Sequence, residues 1–232
     1  MPLISDIRRK DRHQRGHILD AKLNKDQVRE AYRIHASTYD IWSSLIESKA
    51  RQRCLELADI KDGESVLEVA VGTGILFEKI LQLNPTGRNE GIDLTEQMLS
   101  RARARALKSN VSNFVLEIGD AYQLQYPDNS FDIVLNNYMF DLIPEKDFGA
   151  ILSEFKRVLR KGGRIILVNM TKGPGWFNAA WEWLYKISPS LLVGCRGIEL
   201  SPYLERMGFE KILREYVSQM LFPSEVIYSM KP

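Results

Sequence analysis

Cysteine is nearly absent from this chain of 232 residues. Only Cys54 and Cys195 occur, far apart and in no C-x-x-C or zinc spacing. That excludes a disulfide framework, a metal centre built on thiolates and cysteine redox chemistry, and it fits a reducing compartment. A dominant charge is lacking too: 32 Lys and Arg against 30 Asp and Glu leave a formal net charge of +2. No overall field therefore draws the protein to nucleic acid or to acidic substrates. Nor is there a membrane span, since the longest nearly apolar window, Trp176 to Gly194, is interrupted by Glu182, Lys186 and Pro189. The N-terminus, Met1 to Ile7, turns basic after its apolar residues and has no long apolar region with a small-residue cleavage site. A soluble, cytoplasmic protein is expected. What is present is ordinary globular composition, 44% hydrophobic and 27% charged, long enough for one sizeable core.

The chain is organised around Val66-Leu67-Glu68-Val69-Ala70-Val71-Gly72-Thr73-Gly74. The mostly apolar run Ser65 to Val69 predicts a buried strand, the small residues after it a tight turn, and Ile75 to Leu83 an amphipathic helix. Strand, glycine turn and helix form the cradle at the ligand end of an open α/β sheet. A dinucleotide site requires G-x-G-x-x-G with a small third residue so that helix and strand pack closely. Counting from Gly72 puts Phe77 there, and counting from Ala70 puts Ile75 there. Both registers fail on bulk, which disfavours an NAD(P)-dependent oxidoreductase.

The pattern Glu68-x-Ala70-x-Gly72-x-Gly74 resembles the first motif of the class I S-adenosylmethionine (SAM) methyltransferases, and companion motifs follow in the same order from about Asn24 to the C-terminus. The resemblance implies a Rossmann-like, doubly wound α/β sheet of seven strands, mostly parallel with an antiparallel C-terminal hairpin. It also implies SAM as cofactor, with S-adenosylhomocysteine as product, and no metal. Strand two, Arg88 to Ile92, ends in Asp93, about 20 residues past the glycines, where a carboxylate can accept hydrogen bonds from both ribose hydroxyls. Leu94 and Met98, in and before the helix Thr95 to Lys108, fall where the family packs on the cofactor, although a core methionine reads equally well for Met98. Arg101, Arg103 and Arg105 spread around that helix at a spacing of two, as on a solvated surface.

Strand three, Asn113 to Ile118, runs into Gly119-Asp120-Ala121, which resembles the motif at the adenine edge. An Asx turn is the alternative reading of Asp120, whose place after this strand favours the ligand role. Pro127 to Asp132 builds a turn and makes Asp132 structural. Strand four, Ile133 to Asn137, directs Asn136, Asn137, Tyr138 and Asp141 toward the reacting centre. The helix Glu145 to Arg160 is expected to stop at Lys161-Gly162-Gly163 before strand five, Arg164 to Met170. A short helix at Leu200 to Met207 precedes two late strands, Phe209 to Val217 and Met220 to Ser229.

Before the first motif, residues 1–23 form a basic leader with Arg8, Arg9, Lys10, Arg12 and Arg15. It reads either as a solvated, loose terminus or as a contact for anionic lipid headgroups peripheral to the membrane. Residues 24–232 are expected to form one methyltransferase domain. Its first part, 24–60, is a helical cover in which Val28, Ala31, Tyr32, His35, Ala36 and Tyr39 share a stripe, with a further helix from Trp42 to Leu57. The segment Val28 to Asp40 resembles that of quinone and phospholipid methyltransferases, where it folds over the cofactor. Tyr32 and Tyr39 are thereby cofactor candidates, and plain aromatic packing is the alternative. Residues 173–197 form an insertion whose Trp176, Trp181 and Trp183 imply a cover for an apolar or amphiphilic substrate, a dimer interface or a packed helix.

The expected activity is methyl transfer from SAM to a small or lipid-like acceptor rather than a macromolecule, the chain resembling both the ubiquinone/menaquinone C-methyltransferases and the bacterial phospholipid N-methyltransferases. Ala70 favours the first group and Asn169 the second. No His-Asp pair stands out, so catalysis by positioning is expected, with Asp141, Tyr39 and His35 as candidates should a base be needed. A SAM-binding regulator without turnover is the alternative from another class.

Overall fold

The computed structural model describes residues 47–172, 196–219 and 222–232. The basic leader, the stripe carrying Tyr32, His35 and Tyr39, and most of the tryptophan insertion lie outside the described residues.

Seven strands form one sheet: β1 (Ser65–Val69), β2 (Arg88–Asp93), β3 (Phe114–Ile118), β4 (Phe131–Asn137), β5 (Leu159–Met170), β6 (Glu210–Gln219) and β7 (Phe222–Met230). Their spatial order is β3-β2-β1-β4-β5-β7-β6. The first five are parallel, and β7 runs antiparallel to both β5 and β6. The order reverses between β1 and β4, which opens a crevice at their C-terminal ends, the usual ligand position in such a sheet. This is the Rossmann-like seven-stranded architecture expected from the sequence.

Among the described residues five helices cover the sheet: α1 (Ser48–Ala58), α2 (Ile75–Leu83), α3 (Glu96–Ala106), α4 (Phe148–Val158) and α5 (Ser201–Arg206). Alternation along the strands sends side chains to two separate cores. Val66, Ile133, Leu135, Ile166 and Val168 pack with Cys54, Phe77 and Leu99 of the first three helices. Leu67, Val69, Val134, Ile165 and Leu167 pack with Ile151, Phe155 and Leu204 of the last two. Among the described residues, no helix is long and apolar enough to cross a membrane.

The predicted bounds of β1 and α2 coincide with those observed. Thr95 is the cap of α3 rather than its first residue, its Oγ1 accepting from Met98 N at 3.4 Å, and the chain tightens into a 3-10 turn at Leu107–Ser109.

The helix expected from Glu145 to Arg160 needs correction. A 3-10 turn at Glu145–Asp147 precedes α4, which ends at Val158, and Leu159 already pairs with Phe131. The glycines of Lys161-Gly162-Gly163 do not stop the helix. Its last carbonyls are instead taken by the turn before β4, with Asn129 N donating to Arg157 O at 2.9 Å and Ser130 N to Val158 O at 2.7 Å. A helix whose orphan carbonyls are met from another segment can end without a glycine cap. Residues 160–163 then bulge out before the ladder resumes at Ile133 and Arg164.

Candidate cofactor and acceptor site

The turn after β1 is shaped by backbone conformation. Ala70, Gly72 and Gly74 all have positive φ, at 59°, 54° and 80°. Val71 N donates to Ile92 O at 2.9 Å and Gly74 N to Val71 O at 3.0 Å, so the loop folds back on β2 before α2 begins. Added carbon at Gly72 would meet nothing within 4 Å, whereas at Gly74 it would lie 2.8 Å from Ala102 Cα. Gly72 is thus required by its conformation beside open space, and Gly74 also by the close approach of α3.

Phe77, the residue that argued against a dinucleotide, is fully buried. A Cβ at Gly91 of β2 would stand 3.1 Å from its Cε2, and its ring meets Phe114 edge-on at 6.2 Å between centroids. The room that a dinucleotide fold leaves beside a small helix residue is here supplied by a glycine on the strand and filled by the ring.

Asp93 closes β2 at the foot of this loop. Its Oδ2 accepts from Gly72 N at 2.9 Å, and its Oδ1 from Thr95 N and Thr95 Oγ1, both at 3.0 Å. Burial raises its pKa while these hydrogen bonds lower it, and burial prevails. The Leu94 amide adds to these donors, so the carboxylate is held by the protein on both oxygens. Glu68, two residues before the turn, is buried, its Oε2 has no hydrogen-bond partner among the described residues, and burial holds its pKa well above the carboxylate range.

At the end of β3, Asp120 Oδ1 accepts from Tyr122 N at 3.0 Å, so the Asx turn is formed. Gly119 N donates to Asp93 O at 3.0 Å, which brings the Asp93 and Asp120 corners together. Met98 and Ala121 are buried and Leu94 is partly so. Asn136 is fully buried, its Nδ2 donating to Val69 O at 2.8 Å beneath the Ala70 turn. Asn137 projects to the other face beside Cys54, whose thiol burial pushes up and out of reach of ordinary titration.

Beyond β4, Tyr138 has φ 54°, and its hydroxyl lies 2.8 Å from Ser224 Oγ. Asp141 sits fully buried in the 3-10 turn Phe140–Leu142. Tyr32, His35 and Tyr39 belong to the part of the chain outside the described residues. Asp132, read as structural, ties β1 to β4 by accepting from Ser65 N at 2.8 Å and pairs with Arg160 at 2.7 Å.

Four side chains with a role here are not evident from the sequence. Arg105, taken for a solvated residue, turns back so that its Nε donates to Thr73 O at 3.1 Å and braces the glycine loop from behind. Its neighbour Arg103 donates to Leu116 O at 2.9 Å. Arg196 is buried and reaches the loop after β4, and Glu225 is buried in β7, where its Oε1 accepts from Leu200 N at 3.1 Å. Arg196 and Glu225 each interrupt an apolar stretch of sequence, the only signal that pointed to burial.

Comparison with known proteins follows the same lines. A family model described as a methyltransferase domain matches residues 66–163. The demethylmenaquinone methyltransferase of Listeria monocytogenes serotype 4a is 29% identical over 175 residues, covering 70% of this chain and 72% of that one. The ubiquinone/menaquinone biosynthesis C-methyltransferase UbiE of Saccharophagus degradans is 31% identical over 160 residues, covering 66% and 64%. A crystal structure of a SAM-dependent methyltransferase from Aquifex aeolicus shares the fold, with a TM-score of 0.58 at 18% identity over 91% of this chain and all of that one. With its strand order, glycine turn and acidic corners, this chain is a class I SAM-dependent methyltransferase similar to the ubiquinone/menaquinone C-methyltransferases.

Proposed function

We propose that the enzyme methylates a small amphiphilic acceptor of the quinol type. The observation that carries this is the 29% identity to a demethylmenaquinone methyltransferase across 70% of the chain. The residues at the strand ends suit SAM. The turn at Gly72 faces open space, the Asp93 carboxylate stands beside it as an acceptor that a ribose hydroxyl would share with the protein donors, and Glu68 Oε2 is a buried oxygen with no donor among the described residues, suited to a cationic ammonium. In this reading Gly72, Gly74, Ala70 and Glu68 hold the methionine half, Asp93 the ribose, and Leu94, Met98, Asp120 and Ala121 the adenine. Asn136 acts from below by fixing Val69 O, and Tyr32 and Tyr39 close the cover.

When bound, SAM supplies a methyl group on a sulfonium that is already an activated leaving group. The protein's share is then to orient the acceptor, exclude water and take up a proton from a quinol hydroxyl. Among the described residues Asp141 is the candidate for the proton, and Tyr39 and His35 are the others. A phospholipid amine is the second reading, supported by Asn169, which is fully buried at the end of β5 with neither amide atom partnered among the described residues. Both acceptors reside in membranes, so peripheral contact through the basic leader belongs to this proposal.

The test incubates the full chain with methyl-labelled SAM and either a short-chain demethylmenaquinol or phosphatidylethanolamine vesicles, and repeats the vesicle arm with residues 1–16 removed. Label is expected in the quinol, with less protein sedimenting on anionic vesicles once the leader is gone. Label in the lipid instead would overturn the quinol assignment, and unchanged sedimentation would remove the membrane contact.

A further inference from the structure

Arg196 is the largest fully buried side chain among the described residues. Taking a guanidinium out of water costs several kcal/mol unless its donors are met. Its Nη1 donates to Asp141 O at 2.9 Å and its Nη2 to Ile143 O. Its guanidinium carbon lies 6.0 Å from the centroid of Phe148, whose ring packs edge-on against Phe140 at 5.4 Å. Both carbonyls belong to the turn Phe140–Leu142 and the residue after it, so the arginine caps the turn that carries Asp141.

The backbone that brings Arg196 there is itself fastened to the end of β5. Ile198 N donates to Met170 O at 3.0 Å, and Thr171 Oγ1 donates to Ile198 O at 2.9 Å. Leu200 N donates to Glu225 Oε1 at 3.1 Å. Carbon added to Gly197 would come within 3.0 Å of Thr171, so this segment lies flush on the strand end. One side chain thus bridges the connection after β4 and the connection after β5, the two that flank the acceptor side of the crevice.

We propose that Arg196 is a positioning residue for methyl transfer: its fork locks the Asp141 turn to the strap at residues 196–200 and so fixes the wall against which the acceptor is held. The inference rests on the acceptor lying at the β4 and β5 ends. An apolar side chain of similar length would fill the space but leave the carbonyls of Asp141 and Ile143 without these donors, at a cost in stability for each. Arg196→Met should accordingly lose stability while the turn it capped loosens.

The experiment compares wild type, Arg196→Met and Arg196→Lys in three measurements. These are SAM affinity by calorimetry, kcat and KM with a short-chain demethylmenaquinol, and hydrogen exchange of peptides spanning 138–147 and 196–200. In Arg196→Met, SAM affinity should stay within about twofold, kcat/KM for the quinol should fall on the order of 10- to 100-fold, as for a misplaced reactant, and both peptides should exchange faster together. Arg196→Lys should recover only part of the rate, since one ammonium cannot span both carbonyls in a planar fork. It also serves as the test variant if Arg196→Met does not fold.

Turnover equal to wild type, or SAM affinity falling in step with kcat/KM, would overturn the proposal. Should the quinol prove not to be an acceptor, wild type itself is inactive with it and the exchange data decide. Coupled loosening of the two peptides then supports the lock, and unchanged exchange refutes it.

Discussion

At the ends of β1 and β2, the crevice is shaped by glycine conformations and by a carboxylate only 21 positions from the amide it holds, Asp93 to Gly72. At the ends of β4 and β5, the corresponding bonds join Arg196 to Asp141 across 55 positions, Tyr138 to Ser224 across 86, and Leu200 to Glu225 across 25. The first half is a local motif with a backbone-built pocket. The second is a set of side chains borrowed from the end of the chain. A pocket for a constant ligand can be written into one stretch, whereas the wall facing a variable acceptor is supplied by segments whose sequence can change separately. The two halves should therefore fail separately, and three perturbations test that.

The largest effect should come from Glu225 on the acceptor side. It is fully buried, and its pKa is pushed up to about 7 by burial, with Arg214 and the Leu200 amide pulling the other way and Glu199 adding to the rise. An acid whose folded pKa lies above its unfolded value holds its proton more tightly when folded. Its contribution is then present below about pH 4.5 and lost as pH rises through 7. Over that window the difference amounts to about 3 kcal/mol. Glu225→Gln, which keeps an acceptor for Leu200 N, should flatten the fall in urea-unfolding stability between pH 5 and 8. SAM affinity should not change. A variant with the wild-type slope would show that the proton is held elsewhere, and a loss of SAM affinity would mean that the halves are not separate.

Asp93→Ala attacks the other side. It removes an acceptor proposed for ribose and releases Gly72 N and Thr95, so SAM should bind about 2 kcal/mol more weakly. Asp93→Asn, which keeps one carbonyl oxygen, should lose less. Calorimetry on variants that remain folded by circular dichroism decides it, and an unchanged dissociation constant would reduce Asp93 to a loop pin. Exchange in the 196–200 segment should stay at the wild-type rate in both.

The same contrast governs what could be read from sequence. The bounds of β1 and α2 were legible because an apolar run, a glycine turn and an amphipathic helix follow one another directly along the chain. The seven-stranded, mostly parallel sheet with its antiparallel C-terminal hairpin was legible from the family resemblance and the alternation of elements. The end of α4 was not, because its carbonyls are met by Asn129 and Ser130 rather than by its own glycines. Spacing alone made Arg105 look solvated, since nothing within α3 reveals that it reaches Thr73 O. Arg196 and Glu225 appear in the sequence as single charges among apolar residues. Only the fold brings in the partners that make them useful.

Ala70 offers the smallest and most local test. It stands at the first small position of the glycine turn with φ 59°, a left-handed conformation that costs a residue with a Cβ roughly 1 kcal/mol. Glycine there would remove the strain while adding freedom to the unfolded chain, worth about 0.4–1 kcal/mol in the opposite direction. The balance for Ala70→Gly should lie within about 0.5 kcal/mol of zero and on the stabilising side, a rise of at most ~2 °C in Tm for a domain of this size. Ala70 also packs against the core that holds Val69 and Ile92, so its methyl has neighbours to lose. If Tm instead falls by more than ~3 °C, that packing outweighs the backbone strain. The turn would then be held by side-chain contact as the acceptor wall is, and the contrast between the two halves would narrow at the position where the cofactor side looks most purely conformational.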